Sequence, residues 1–365
     1  MNRIYPQIEI DLQKFRENAS AVIARCQAAG IQVCGVIKGC NALPPLARAY
    51  RECGAVQLAS SRIEQIAACR EAGIPGPYLL LRIPMLSEVA EVVRWCDLSL
   101  NSETAVLDAL NQEAGRQKKQ HQVIVMADLG DLREGFWSHE ELIDACLHVE
   151  RQLPHLHLAG IGVNLGCYGS IVPTPEKMQE LVELAERVEA RIGRRLEIIS
   201  GGATSSYTLV HWGTMPPRIN HLRIGEGVLL ARDLQTAWGI HDMKYLHMDT
   251  MRIRAEVIEI KTKPSYPVGE IAIDAFGRRP TYTDRGMRKR ALLGIGRADV
   301  GELEQLIPCD EGIEVLGGAS DHCILDVENC SRDIQVGDVV DFYVTYSTML
   351  YATASRGVHI RYLHA

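Results

Sequence analysis

Short apolar runs alternate with amphipathic stretches over the first two thirds of the chain. Eight runs have the length of a buried strand, and they fall at residues 33–37, 55–59, 78–83, 97–101, 122–128, 158–164, 196–200 and 222–224. Apolar residues recur at helical spacing around and between them, at residues 13–29, 45–53, 62–73, 103–117, 139–152 and 175–193. This alternation predicts a mostly parallel sheet, and eight units over roughly 200 residues favour an α/β fold of the (β/α)8 TIM barrel type. A doubly wound sheet gives the same local pattern and is the alternative.

Several predicted helices are preceded by residues whose side chains can accept a hydrogen bond from a free backbone N–H. These candidate N-caps are Ser87, Asn101, Ser138 and Thr174. The last predicted helix also has Pro175 at its first position and Gly193 at its end, which is the usual placement of both residue types.

The pattern changes at about residue 250, where apolar and polar residues begin to alternate with period two. The alternating segments are residues 251–263, 288–296, 312–327 and 336–346. Turn residues separate them and no clear amphipathic helix intervenes, so this region is predicted to be a β-rich domain. Residues 8–12 also predict a strand, which can pair with that domain. We therefore expect a barrel over residues 12–235, and a C-terminal β-rich domain of residues 236–365 that also takes in residues 1–11.

Composition and charge narrow the function classes. The chain has 365 residues and a net charge of −7, which argues against a nucleic-acid-binding protein. No stretch has the apolar length of a membrane span or the pattern of a signal peptide. The eleven cysteines include no C-x-x-C pair, and the histidines show no zinc-site spacing. We expect a cytoplasmic protein with reduced thiols, without a metal site and without a nucleic-acid or membrane partner.

Residues at the carboxyl ends of barrel strands face the active site of such a fold. The first run ends at Lys38, and the fifth is followed by Asp128, Asp131, Arg133 and Glu134. The sixth ends at Asn164. Taken alone, Lys38 is better explained by a solvated lysine at a strand end, and only an anion site at the same barrel mouth reverses this.

The last two strand ends carry the pattern of an anion site. The seventh run leads into SGGATSS (residues 200–206), where Gly201 and Gly202 let the backbone approach a ligand closely. Ala203, Thr204 and Ser205 begin a helix whose free N–H groups would face an anion. Gly225 and Glu226 follow the eighth run and add further N–H groups. Barrels commonly bind phosphate at this position, although a glycine-rich connector explains the stretch as well.

Arg223 lies within the apolar run that precedes Gly225. A buried arginine stays charged and needs an acceptor, so it forms either a structural ion pair or a contact with a ligand above the barrel. A lysine and a phosphate site at one barrel mouth, without metal ligands, favour pyridoxal 5'-phosphate bound to Lys38 as a Schiff base.

The sequence resembles the alanine racemase-like, fold-type III pyridoxal phosphate enzymes, and its closest likeness is to the ornithine/alanine racemase-type branch. The shared motifs span nearly the whole chain: IEIDL at 8–12, VIKGCNA at 36–42, DLGDLREGF at 128–136, GVNLGCYG at 162–169, SGGATSS at 200–206, HLRIGEG at 221–227 and LGGASDHCILDV at 316–327.

The resemblance implies a role for each matched residue. Lys38 would bind the cofactor covalently and exchange a proton on one face of the substrate. The cofactor phosphate would lie against Ala203, Thr204, Gly225 and Glu226. Arg223 would donate to the pyridine nitrogen and keep it neutral, because an arginine does not give up its proton. A neutral ring limits side reactions, and racemisation needs little more than proton removal on one face and return on the other. A head-to-tail homodimer is also implied, in which the partner's C-terminal domain completes each site.

Some matched positions differ from the alanine racemases proper. Ala42 replaces a tyrosine, Asn164 a histidine under the cofactor ring, Met126 a lysine that can be carbamylated, and Arg297 a tyrosine. Arg133 is kept, and the resemblance assigns it to the phenolic oxygen of the cofactor or to the substrate carboxylate.

The second base and the substrate contacts are matched less closely. The nearest candidate for the opposite face is Tyr266, for which a structural role at a strand bend is equally compatible. Asp321 lies in a segment that contributes to the partner's active site in the family, and a capped turn is its alternative role.

We therefore expect a pyridoxal phosphate-dependent amino-acid racemase, an isomerase whose substrate is larger than alanine and ornithine-like. Asp321 or Glu134 would then pair with a distal ammonium. The alternatives are an amino-acid decarboxylase or lyase of the same fold, a carrier or regulatory protein that binds pyridoxal phosphate without turnover, and a barrel that binds phosphate esters with Lys38 as a plain cation.

Overall fold

The computed structural model describes residues 4–364, and the chain divides into two compact units. One unit is residues 15–247. The other consists of Met248–Ala365 and Met1–Lys14, as far as these ranges are described.

Residues 15–247 contain a closed barrel of eight parallel strands. After β1 (Gln7–Asp11), which belongs to the other unit, the barrel strands are β2 (Gln32–Val36), β3 (Gln57–Ser60), β4 (Tyr78–Leu80), β5 (Leu98–Asn101), β6 (His121–Ala127), β7 (Leu156–Val163), β8 (Ile198–Ser200) and β9 (His221–Ile224). The barrel closes where β2 pairs with β9, with Val33 opposite Leu222. The barrel prediction is confirmed, and the doubly wound alternative is wrong because the sheet has no open edge.

The barrel interior is filled by apolar side chains that alternate along the strands. Cys34 and Val36 on β2, and Ile124 and Met126 on β6, belong to one buried cluster. Residues two apart on a strand point to the same face, so this spacing places one set of side chains inside the barrel.

Ten helices of the barrel region surround or cap the strands in the described chain. They are α1 (Leu12–Ala28), α2 (Pro44–Glu52), α3 (Ile63–Glu71), α4 (Val89–Trp95), α5 (Thr104–Arg116), α6 (His139–Gln152), α7 (Pro175–Ile192), α8 (Tyr207–His211), α9 (Glu226–Leu229) and α10 (Asp233–Thr236). Each of the longer ones begins and ends within two residues of its predicted bounds.

The predicted N-caps divide into two that are confirmed and two that are wrong. Ser138 accepts from the N–H of Glu141 at 3.3 Å, and Thr174 accepts from that of Lys177 at 3.2 Å. Ser87 instead lies inside a 3₁₀ turn that precedes α4. Asn101 is the last residue of β5, and its amide turns back to Ser99.

The second unit is β-rich and contains an eight-stranded sheet in which β1 takes part. Its other strands are β10 (Met251–Pro264), β11 (Met287–Leu293), β12 (Ile307–Pro308), β13 (Glu314–Gly318), β14 (Cys323–Asp326), β15 (Val339–Tyr343) and β16 (His359–Leu363). β1 pairs antiparallel with β10 and parallel with β16.

The β-rich prediction is confirmed, and the region also contains two short helices that the sequence pattern did not indicate, α11 (Arg297–Val300) and α12 (Tyr346–Ala352). Both are too short to show a helical period in the sequence. Thr345 caps α12 by accepting from the N–H of Thr348 at 3.4 Å.

Three global features of residues 4–364 bear on function. None of their helices combines the length and the apolar character needed to cross a membrane. No group of three or more histidine, cysteine, aspartate or glutamate side chains among them is arranged to bind a metal ion. All eleven cysteines are free thiols.

Candidate active site

Lys38 lies just beyond the carboxyl end of β2, at the start of a 3₁₀ turn. The turn closes when the N–H of Ala42 donates to the carbonyl of Ile37 at 2.9 Å, and Ala42 itself has a positive φ of 52°. The side chain of Lys38 is half-buried, and within the described residues its ammonium has no hydrogen bond or ion pair. A half-buried amine of this kind is accessible to a ligand at the carboxyl end of the strand.

Four other barrel residues, Arg133, Cys167, Glu134 and Arg223, contribute to the electrostatic surroundings of Lys38. Burial lowers the pKa of Lys38, and the positive charges of Arg133 and Arg223 lower it further. Glu134 acts in the opposite direction. A lysine with a lowered pKa is more often the neutral amine, which is the form that reacts with carbonyl compounds and accepts protons.

Arg133 and Glu134 follow β6 and form a two-pronged ion pair with each other. Nη1 of Arg133 also donates to Sγ of Cys167 at 2.7 Å, on the loop that follows β7. The two loops after β6 and β7 are thereby connected at the barrel mouth.

The other two carboxylates of the loop after β6 are structural. Asp128 accepts from the N–H groups of Gly130 at 2.9 Å and Leu132 at 3.1 Å. Asp131 is 1% exposed and accepts from the N–H groups of Cys167 and Tyr168 at 3.2 and 3.0 Å. Oδ1 of Asp128 and both oxygens of Asp131 accept from backbone N–H groups, so these two side chains stabilise the loop, whereas Arg133 and Glu134 pair with each other.

Arg223 is 3% exposed on β9 and has no carboxylate within ion-pair distance in the described part of the chain. Nη1 donates to Oγ of Ser200, and Nη2 donates to the carbonyl of Val163 at 2.8 Å. Burial lowers the pKa of Arg223 to about 10. The ion-pair explanation from the sequence is therefore not what the structure contains, and the guanidinium retains N–H groups beyond the two that are engaged.

A set of backbone N–H groups converges after β8 and β9. The N–H groups of Gly225 and Gly227 point at Oγ1 of Thr204, at 3.4 and 3.2 Å. A Cβ atom on Gly227 would lie 2.9 Å from Cγ2 of Thr204. Any side chain at residue 227 would therefore obstruct this concave group of donors.

Gly202 and Ser206 lie on either side of Thr204 in the segment that follows β8. Gly202 has φ = +116°, a conformation that favours glycine, and a Cβ atom there would lie 2.6 Å from Oγ of Ser206. Oγ of Ser206 is buried and has no hydrogen-bond partner among the described residues. A buried hydroxyl without a partner is costly, and a ligand oxygen would satisfy it.

Glu226 and Asn164, two further predicted site residues, differ in whether their side chains are already engaged. Oε1 of Glu226 accepts from the N–H groups of Arg232 and Asp233 at 2.8 and 2.9 Å, so its side chain stabilises the next turn. Only its backbone is available to an anion. Asn164 follows β7, is 8% exposed, and its Nδ2 lacks a partner within residues 4–364.

Tyr266 and Asp321 belong to the β-rich unit. Tyr266 is 42% exposed and meets Tyr282 edge to face, with ring centroids 6.2 Å apart. Asp321 is exposed between β13 and β14 and accepts from the hydroxyl of Ser320 at 2.6 Å.

Comparison with protein families identifies residues 10–233 as an alanine racemase N-terminal domain. The match covers more than half of the chain. The chain belongs to the alanine racemase family.

Two racemases are similar to the chain over nearly its full length. The ornithine racemase of Acetoanaerobium sticklandii is 38% identical over 347 residues, covering 95% of this chain and 96% of that protein. The lysine racemase of Thermotoga maritima is 40% identical over 352 residues, covering 96% and 97%. The prediction of an amino-acid racemase is confirmed at the level of enzyme class.

Solved structures confirm the fold. The alanine racemase of Streptomyces lavendulae superposes with a TM-score of 0.75 at 18% identity and covers 100% of this chain and 98% of that one. The D-threonine aldolase of Filomicrobium marinum gives a TM-score of 0.74 at 16% identity, covering 96% and 88%.

Sequence reasoning missed several residues of the site. Cys167 contacts Arg133, and the hydroxyl of Ser206 has no partner among residues 4–364, yet neither was singled out within the motif that contains it. His221 and Gln57 are linked by hydrogen bonds to Ser200, the partner of Arg223. His221 could have been found from its position two residues before Arg223, on the same face of β9.

Proposed function

We propose that this chain is a pyridoxal phosphate-dependent racemase that interconverts the L and D forms of a basic amino acid such as ornithine or lysine. The observation that carries the proposal is the similarity over nearly the whole chain to an ornithine racemase and a lysine racemase, at 38% and 40% identity.

The residues at the barrel mouth fit this cofactor. Lys38 offers a half-buried amine whose pKa is lowered by burial. The hydroxyl of Ser206 lacks a partner in the described chain, and the N–H groups of Gly225 and Gly227 point at Oγ1 of Thr204, two residues before it. Together with Gly202, Ala203 and Thr204, they would hold the phosphate.

Each polar residue would then have a defined task. Pyridoxal phosphate, when bound, supplies an electron-withdrawing ring that makes the substrate Cα–H acidic. Lys38 would take or return that proton on one face, since its pKa is lowered towards neutrality. Arg223 would donate an N–H to the ring nitrogen and would keep its own proton. Arg133 would bind the substrate carboxylate or the phenolic oxygen, and Asn164 would offer its amide beneath the ring.

Further residues are needed to exchange a proton on the opposite face of the substrate and to bind its distal ammonium. We propose Tyr266 as the second base, supplied by the partner in a head-to-tail homodimer. Its partial exposure is compatible with that task. Asp321 and Glu134 are the carboxylates proposed for the distal ammonium. The eleven free thiols suit a reducing compartment such as the cytoplasm.

Incubation in heavy water with a panel of L- and D-amino acids tests the proposal. Deuterium at Cα together with the opposite enantiomer, highest for ornithine or lysine, is the expected result. Release of an amine and carbon dioxide would instead indicate a decarboxylase, and carbon–carbon cleavage a lyase. Absence of exchange with every amino acid would leave a carrier. The Lys38→Ala variant is the matched control and should show no exchange above background.

A further inference from the structure

Ser200, His221 and Gln57 form a buried chain of hydrogen bonds that ends at Arg223. Nη1 of Arg223 donates to Oγ of Ser200, which lies 2.8 Å from Nδ1 of His221. Nε2 of His221 lies 3.2 Å from Oε1 of Gln57. All four side chains are at most 8% exposed, so no solvent competes for these bonds.

The direction of each bond follows from the two ends of the chain. Arg223 can only donate, so Oγ of Ser200 accepts from it. Oε1 of Gln57 can only accept, so Nε2 of His221 carries the hydrogen and donates to it. In a neutral imidazole Nδ1 then has no hydrogen, and it accepts from the hydroxyl of Ser200. Burial and the charge of Arg223 lower the pKa of His221 to about 3, so the ring is neutral over the physiological range.

We propose that Ser200, His221 and Gln57 are positioning residues whose hydrogen bonds, all running in one direction, hold Arg223 as a donor towards the cofactor ring. The role towards the cofactor rests on the proposed function. The direction of the bonds does not depend on it.

Residues at the ends of two strands accept hydrogen bonds from the guanidinium of Arg223. Ser200 is the last residue of β8 and Val163 is the last residue of β7, and each accepts one N–H of Arg223. The bond from the hydroxyl of Ser200 to Nδ1 of His221 fixes the direction in which Oγ presents its lone pairs to Arg223. If Nδ1 of His221 carried a hydrogen instead, the serine hydroxyl would lose that acceptor and its orientation would no longer be fixed.

The barrel provides a matched control in a second buried serine–histidine pair. Oγ of Ser99 lies 2.8 Å from Nε2 of His121, and Asn101 donates to Ser99 at 3.0 Å. Ser99 is as fully buried as Ser200, at 0% exposure. Its donor is a neutral amide on the same strand rather than a cation, so this pair has no link to Arg223.

The first experiment records the ring nitrogens of His221 in the full-length protein by NMR after ¹⁵N-histidine labelling, with the His221→Asn variant as the assignment control. The expected result is a hydrogen on Nε2 and none on Nδ1, unchanged from pH 5 to pH 8, with or without added pyridoxal phosphate. The opposite tautomer, or a protonation step within that range, would overturn the direction of the bonds.

The second experiment compares Ser200→Ala with Ser99→Ala. The dissociation constant for pyridoxal phosphate should rise about tenfold or more for Ser200→Ala, because one bond to a charged donor is lost. It should stay within about twofold for Ser99→Ala. With ¹⁵N-labelled cofactor, the signal of the ring nitrogen should shift in Ser200→Ala alone.

The proposal would be overturned if both substitutions raised the dissociation constant for pyridoxal phosphate equally, or if the ring-nitrogen signal were unchanged in Ser200→Ala. Ser200, His221 and Gln57 would then have only a structural role. If Ser200→Ala does not fold, Gln57→Leu at the far end of the chain takes its place, with a smaller shift in the same direction expected. A wild-type protein that takes up no pyridoxal phosphate would refute the proposed function, and the histidine spectra would still decide the direction of the bonds.

Discussion

Glu134 accepts two hydrogen bonds from the guanidinium of Arg133, the residue before it in the chain. Both side chains influence the pKa of Lys38, which Arg133 lowers and Glu134 raises. The effects of the two charges on the pKa of Lys38 therefore partly cancel. Removal of either side chain should leave the effect of the other uncompensated.

Glu134→Gln should lower the pKa of Lys38 further, whereas Arg133→Leu should raise it. The rate at which an amine-specific reagent labels Lys38, located by mass spectrometry and followed against pH, measures both shifts. The labelling curve should move to lower pH in the first variant and to higher pH in the second. Shifts in the same direction would show that the two charges do not act on Lys38 as described.

The stability of the protein should depend on pH through its buried histidines. Burial lowers the pKa of His121 to about 4, so between that value and the ordinary value of about 6.5 the unfolded chain binds a proton that the folded chain does not. The stabilising contribution is present above pH 6.5 and is lost as the pH falls. At pH 5 the loss for one such histidine is about 2 kcal/mol.

Comparison of the wild type with His121→Gln isolates this effect, because the raised pKa of Glu226 acts in the opposite direction in both proteins. The variant should be less stable at pH 7, and the gap in the free energy of unfolding should narrow by about 2 kcal/mol at pH 5. Urea unfolding at the two pH values measures the gap. A gap that is the same at both would contradict the lowered pKa.

Gly202→Ala should weaken the binding of the cofactor phosphate. The added Cβ would lie 2.6 Å from Oγ of Ser206, and the φ of +116° adds strain of about 1–2 kcal/mol. Gly193→Ala is the control, because Gly193 also has a positive φ, +80°, but has open space around it at the end of α7. Both variants should lose stability, and only Gly202→Ala should raise the dissociation constant for pyridoxal phosphate about tenfold or more. Equal affinities would remove Gly202 from the phosphate site.

Arg223→Lys should destabilise the barrel although the charge is kept. A single ammonium cannot reproduce the planar fork that reaches both Ser200 and Val163, so one buried acceptor loses its donor. The expected cost is about 1–3 kcal/mol. Thermal unfolding measures it, and a melting temperature equal to that of the wild type would show that the fork is not required.

The barrel could be predicted because each of its units carries its own local signal. The apolar runs and helical periods of α6 and α7 lie within short stretches of sequence, and their bounds were predicted to within one residue. The same locality explains the failure at α12, whose seven residues are too few to show a period. Asn101 was mistaken for a cap because strand-end and cap positions favour similar polar residues.

The site could be predicted only in part. Lys38, Gly225 and Arg223 are singled out by the counting of strand ends. The bond between His221 and Gln57 joins residues 164 apart in sequence. It exists because the last barrel strand returns to the first, so that β9 and β3 flank β2. No short stretch of sequence indicates which strands become neighbours when the barrel closes. Nor does it distinguish Asp131, which stabilises a loop, from Glu134, which pairs with Arg133.

The place of β1 has a consequence for the order in which the protein folds during its synthesis. Gln7 pairs with Arg254 on one side and with His359 on the other. When Gln7 leaves the ribosome neither neighbour exists, whereas every strand of the barrel is made before Met251. The barrel can therefore close while the backbone N–H and carbonyl groups of β1 are still unpaired, and the sheet that receives β1 is completed only after β16 has been translated.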